Sequence, residues 1–117
     1  MSASPDAPAR RLYPNQQGCS IARTLDVIGD RWTLLILRDL LIFHRTRFSE
    51  FLTSLDGLSP NLLSQRLKQL EQEGIVERHL YSEHPPRMEY RMTEKGEGLR
   101  PALEALKAWG DVHRPRS

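Results

Sequence analysis

The apolar positions of this chain keep a helical spacing up to Leu70, alternate after Gly74, and return to helical spacing after Thr93. Ile21, Leu25 and Ile28, with Ala22 beside them, predict a first helix from Ser20 to about Ile28, ended by Gly29. Asp30 then caps a predicted second helix to about Phe43, with Trp32, Leu35, Ile36, Leu40 and Phe43 on one side and Leu34, Leu37 and Leu41 on another. A helix that is apolar nearly all round belongs in the centre of a domain or at a subunit interface.

After a basic connector, His44 to Arg47, the residues Phe48, Phe51, Leu52 and Leu55 share one face of a short third helix. Asp56-Gly57 makes a turn, and Ser59 followed by Pro60 is a strong helix start, a hydroxyl acceptor before a residue already shaped for the first turn. The helix it opens, Ser59 to Glu73, carries Leu63, Leu67 and Leu70 on one face with Leu62 at the margin. Asn61, Ser64, Gln65, Lys68 and Gln72 fall opposite. Two short amphipathic helices joined by a tight glycine-containing turn predict a helix-turn-helix.

Beyond Gly74 the residues Ile75 to Tyr81 and Met88 to Thr93 are rich in strand formers, and the second run alternates, with Met88, Tyr90 and Met92 against Glu89 and Arg91. Between them Ser82 to Arg87 is expected to form a loop that its two prolines keep out of the ladder. A hairpin directly after a helix-turn-helix is a winged-helix arrangement, and His84 and Arg87 stand where a wing meets DNA. Thr93 caps an expected last helix, Glu94 to about Gly110, bent early by Pro101, with Leu99, Ala102, Leu103, Leu106 and Trp109 in one stripe. The stripe is long for so small a domain: it either closes its own core or packs, with the first helix, on a second chain. The fold class expected is therefore α+β, mainly α: a winged helix-turn-helix over residues 15–112 with a two-stranded wing and terminal dimerisation helices. A flexible arm (1–14) carrying Arg10 and Arg11 precedes it, and a short tail (113–117) follows.

With 117 residues, 38% hydrophobic and 27% charged, the chain suits one modest globular domain. No apolar run is longer than that of Leu40 to Phe43, which falls far short of the roughly 20 residues that cross a bilayer. Together with the lack of a signal peptide this predicts a cytoplasmic protein without membrane contact. A net charge of +2 argues only weakly for nucleic acid, but its distribution says more. His44–Ser49, Gly57–Leu70 and His84–Met88 contain arginine or lysine and no acid. Cys19 is the sole cysteine, so no internal disulfide can form. The four histidines and Cys19 lack the tight spacings of structural zinc sites. No phosphate-binding glycine loop or nucleophile elbow occurs, and the carboxylates fall on faces that look solvated. No cofactor and no enzymatic activity are expected.

Asn61, Ser64, Gln65 and Lys68 are the candidates for a major-groove face. Asn and Gln can bond bidentately to adenine, Ser64 can give or accept, and Lys68 can instead meet a phosphate. Ser59 opens the same helix. Arg66, on the flank, either reaches a phosphate or pairs internally with a carboxylate such as Glu50. Arg45, Arg47 and Arg87 are assigned to phosphates. Two other readings stand beside these: a merely solvated helix face, and a winged-helix module that meets another protein instead of DNA. Cys19, just before the first helix, is either a thiol activated by the helix N-terminal amides or a buried structural one.

The order CSIARTLDVIGDRW, RFSEFL, LSPNLLSQRLKQLEQEGIVER, PPRMEYRMTEKG and a closing WG resembles the HxlR-type winged-helix transcriptional regulators, relatives of the MarR regulators, over about Cys19 to Gly110. The resemblance implies a homodimer built by the first and last helices, with two recognition helices in successive major grooves of operator DNA and wings on the flanks. It also implies a DNA affinity that responds to a small molecule or to oxidation. Some members that resemble this chain sense quinones, aldehydes or hypochlorite through a cysteine at the place of Cys19, and some cross-link it between subunits. Asp30 departs from the family pattern, which more often has a second glycine there, and as a cap residue it is expected to matter little.

Overall fold

The computed structural model describes residues 17–116, which form six helices and one hairpin. The expected arm, with Arg10 and Arg11, lies outside the described residues. Helix α1 (Ser20–Ile28) is followed by α2 (Arg31–Leu41), whose N-cap Asp30 accepts the Trp32 N–H at 3.0 Å. Ile36, Leu37, Leu40 and Leu41 put α2 at the centre, where it packs on every other main helix and on the hairpin. It stops short of the expected Phe43: the Ile42 and Phe43 amides both turn to Arg38 O, and His44 takes a left-handed φ of 55°. Phe43 is thereby left half in solvent.

Helix α3 (Phe48–Ser54) buries Phe51, and Glu50 reaches back to accept the amides of Thr46 at 3.0 Å and Arg47 at 2.9 Å, satisfying donors that the helix start leaves free. The turn to α4 (Pro60–Gln72) passes through Gly57 at φ 91°, where a side chain would be strained. Ser59 accepts the Leu62 N–H at 3.1 Å, and Leu63, Leu67 and Leu70 are fully buried, as the spacing predicts. The C-terminus closes as a Schellman motif: Ile75 N–H bonds Leu70 O at 2.9 Å and Gly74 N–H bonds Glu71 O at 3.0 Å, with Gly74 at φ 75°.

Strands β1 (Val76–Glu83) and β2 (Pro86–Met92) pair antiparallel, with an irregularity between Leu80 and Ser82. The expected six-residue loop is corrected here. Pairing continues through Ser82↔Arg87 to Glu83↔Pro86, leaving only His84 and Pro85 at the tip. Pro86 is tolerated because it is the first residue of its strand. The connector joins this ribbon as well, through an Arg47↔Glu89 bridge and a Tyr90 N–H to Thr46 O bond of 2.8 Å.

The expected last helix is two helices, α5 (Glu94–Glu97) and α6 (Arg100–His113). Pro101 has no amide for the Glu97 carbonyl, and its ring would crowd that group, so the first helix ends at Glu97 and Pro101 sits in the first turn of the next. Arg100 ties α6 back to α2 through a 2.8 Å bond from Nη1 to Leu41 O. Of the expected stripe only Leu103 is buried, with Leu99 half-buried. Leu106, Trp109 and, beyond them, Val112 are 57%, 60% and 70% exposed, and Ile21 on α1 is 72% exposed. Leu99 and Leu103 join the core, and the outer part of the stripe does not pack on this chain.

Candidate nucleic-acid interface

Three fully buried leucines hold α4 by its inner face, so its outer face is fixed in direction. Asn61, Ser64, Gln65 and Lys68 all lie exposed on that outer face, with Gln72 a turn further on. Ser59 is exposed too, but its oxygen is engaged in capping. No carboxylate lies on α4 before Glu71, so the positive end of the helix dipole is not neutralised from within the helix.

Arg66 is turned inward. Its Nε lies 2.8 Å from Asp30 Oδ2, and both side chains are 18% exposed, while Nη1 donates to Gln69 Oε1 at 3.3 Å. Of the two fates open to it, the internal pair is the one formed, with Asp30 in place of Glu50. Burial works against ionisation of Asp30, but the Thr33 hydroxyl, the Trp32 amide and the Arg66 charge outweigh it and hold the carboxyl below the usual range. Asp30 was expected to matter little; it joins the cap of α2 to the middle of α4.

Arg45 and Arg47 flank the head of α3. Arg47 stacks its guanidinium 4.2 Å from the centre of the Tyr81 ring, linking the connector to the hairpin. Arg45 is partly exposed and bonds Asp39. His84 at the tip of the ribbon and Arg87 at the start of β2 are both exposed. Arg45 and Arg47 thus stand just before α3, the first helix of the helix-turn-helix, and His84 and Arg87 stand on the wing. Sequence reasoning missed Arg38, Asp39 and Tyr81. Asp39 and Asp26 also overturn the expectation that the carboxylates are solvated: both are buried, Asp39 completely, and each accepts a side-chain hydrogen bond, from two arginines and from Gln17 respectively. Only the arginines near Asp39 in sequence hinted at this.

Cys19 is exposed in the single chain. The amides of Ala22 and Ile21 in the first turn of α1, helped by Arg23, hold its pKa below the ordinary thiol value despite some desolvation. Among the described residues no group of three or more His, Cys, Asp or Glu could hold a metal, and no helix is long and apolar enough to cross a membrane.

A helix-turn-helix followed by a β-hairpin and flanked by helices at both ends defines a winged helix-turn-helix protein. Residues 27–117 match the HxlR-like helix-turn-helix family, and the chain belongs to that family of transcriptional regulators. It is 37% identical over 109 residues to YybR, an uncharacterized HTH-type transcriptional regulator of Bacillus subtilis (strain 168), covering 90% of this chain and 83% of that one. The HTH-type transcriptional regulator Rv3095 of Mycobacterium tuberculosis (strain ATCC 25618 / H37Rv) is 43% identical over 100 residues, 86% of this chain but 62% of its own length. Among solved structures, the reduced form of the redox regulator HypR superposes with a TM-score of 0.76 at 35% identity, covering 82% of this chain and 94% of that one.

Proposed function

We propose that this chain binds operator DNA sequence-specifically as a homodimer, with α4 in the major groove and the wing, residues 82–88, on flanking DNA. The observation that carries the reading is the outer face of α4: exposed amide, hydroxyl and ammonium groups on a helix whose inner leucines permit no rotation. Asn61, Ser64 and Gln65 read base edges, and Lys68 meets a base or a phosphate. Arg45, Arg47, Arg87 and His84 neutralise backbone phosphates, whereas Arg66 supports α4 from behind. Ser59 serves chiefly as the cap.

The homodimer reading rests on Ile21, Leu106, Trp109 and Val112, large apolar side chains exposed on α1 and α6. Regulation by an electrophile or oxidant through Cys19 rests on its exposure and lowered pKa. The deciding experiment is an electrophoretic shift with DNA from upstream of the protein's own gene at two salt concentrations. Specific, salt-sensitive binding supports the reading; binding that competitor DNA of unrelated sequence abolishes equally well overturns it.

A further inference from the structure

Asp39 lies in the last turn of α2 and is wholly inaccessible to solvent. The side-chain bonds it receives converge on one oxygen: Oδ1 accepts Arg38 Nε at 3.1 Å, Arg38 Nη2 at 2.8 Å and Arg45 Nη1 at 3.1 Å. Oδ2 is buried with no hydrogen-bond partner. The backbone repeats the link, since Asp39 O accepts the Arg45 N–H at 2.9 Å. A buried carboxylate satisfied on one side is a costly feature for a small domain to retain.

What it accomplishes is to hold two like charges together. Both guanidiniums also lie over the Phe43 ring, Arg38 at 5.4 Å and Arg45 at 4.8 Å from its centre, and Arg38 Nη2 reaches Ser54 Oγ at 3.2 Å. Without the carboxylate the two cations would repel. With it the cluster keeps a net positive charge, and Arg45, 38% exposed, lines a depression of about 400 Å³ with Ser49, Glu50, Thr53 and Ser54 of α3. An arginine has five donors, so one edge can be held by a carboxylate while another meets a phosphate.

We propose that Asp39 is a positioning residue for DNA binding: its buried carboxylate holds the Arg45 guanidinium, beside that of Arg38, at the head of α3 so that Arg45 meets an operator phosphate. This rests on the DNA-binding reading. An arginine already fixed loses less freedom on contact than one swinging on a free stem.

The test compares operator affinity across a salt series for the wild type, Asp39→Asn, Arg45→Gln and the double variant, with melting curves alongside. Asp39→Asn is expected to weaken binding about tenfold and to flatten the salt dependence by about one phosphate contact. Arg45→Gln should do the same, and the double variant should bind no more weakly than Arg45→Gln alone. An unchanged slope in Asp39→Asn, or losses that simply add, would mean that Asp39 only supports the fold and overturns the proposal. Should Asp39→Asn fail to fold, Asp39→Ala removes the buried charge without adding bulk and is read the same way. A wild-type slope in Arg45→Gln also overturns it, because no contact would then exist to position. A wild type that binds no operator sinks the DNA-binding reading and this one with it; binding that Asp39→Asn leaves intact sinks this one alone.

Discussion

The guanidinium of Arg66 and the carboxylate of Asp30 stand 2.8 Å apart, pinning the middle of α4 to the start of α2. The carboxylate has two tasks, capping one helix and pairing with another. Asp30→Ala is therefore expected to lose both, a destabilisation of about 1–3 kcal/mol. In a double-mutant cycle with Arg66→Ala the coupling should exceed about 0.5 kcal/mol; strict additivity in urea unfolding would break the link.

The same carboxyl gives a pH signature. Because its pKa is lowered on folding, its contribution to stability is present above the unfolded value, about 4, and is lost as pH falls through the lower folded value. The stability gap between wild type and Asp30→Asn should hold at neutral pH and close in acid below about pH 4. A gap that widened there would reverse the sign of this argument.

On the outer face of α4, Gln65 and Lys68 are expected to respond differently. Gln65→Ala should cost about 1–3 kcal/mol on the cognate operator and relax discrimination at one base pair. Lys68→Ala, if its contact is to a phosphate, should weaken all sequences alike and lower the salt slope by about 1. Binding titrations against a panel of single-base operator variants separate the two.

Gly96, the buried residue of α5, is pressed against the hairpin. A Cβ there would collide with the Ile75 carbonyl and the end of the Met92 side chain. Methionine can move, but the backbone oxygen cannot without shifting the α4–β1 junction. Gly96→Ala should cost about 1–3 kcal/mol, lowering the melting temperature by several degrees or more.

If α6 joins two chains, its exposed apolar residues should control association without controlling the fold. Leu106→Glu is expected to convert a dimer into a monomer in analytical ultracentrifugation while the helical circular dichroism persists, since Leu106 is 57% exposed in the single chain. A wild type that sediments as a monomer at micromolar concentration would remove the dimer from the proposal.

Residue order by itself determined the local architecture. The Ser59-Pro60 start, the leucines of α4, the Gly57 turn and the Gly74 stop were all legible, because capping, periodicity and left-handed turns depend on residues within a turn or two of one another. The exposed face opposite those leucines followed from the same periodicity. Strand pairing through Pro86 and the break before Pro101 were harder to read, since proline's effect depends on which of its neighbours' groups need an amide. Only the tertiary structure decided how the arginines are used: Arg66 is taken by Asp30, Arg38 and Arg45 by Asp39, and Arg47 rests on Tyr81. Long cationic side chains reach across several ångströms to whatever carboxylate or ring the packing brings near, and no spacing along the chain encodes that choice.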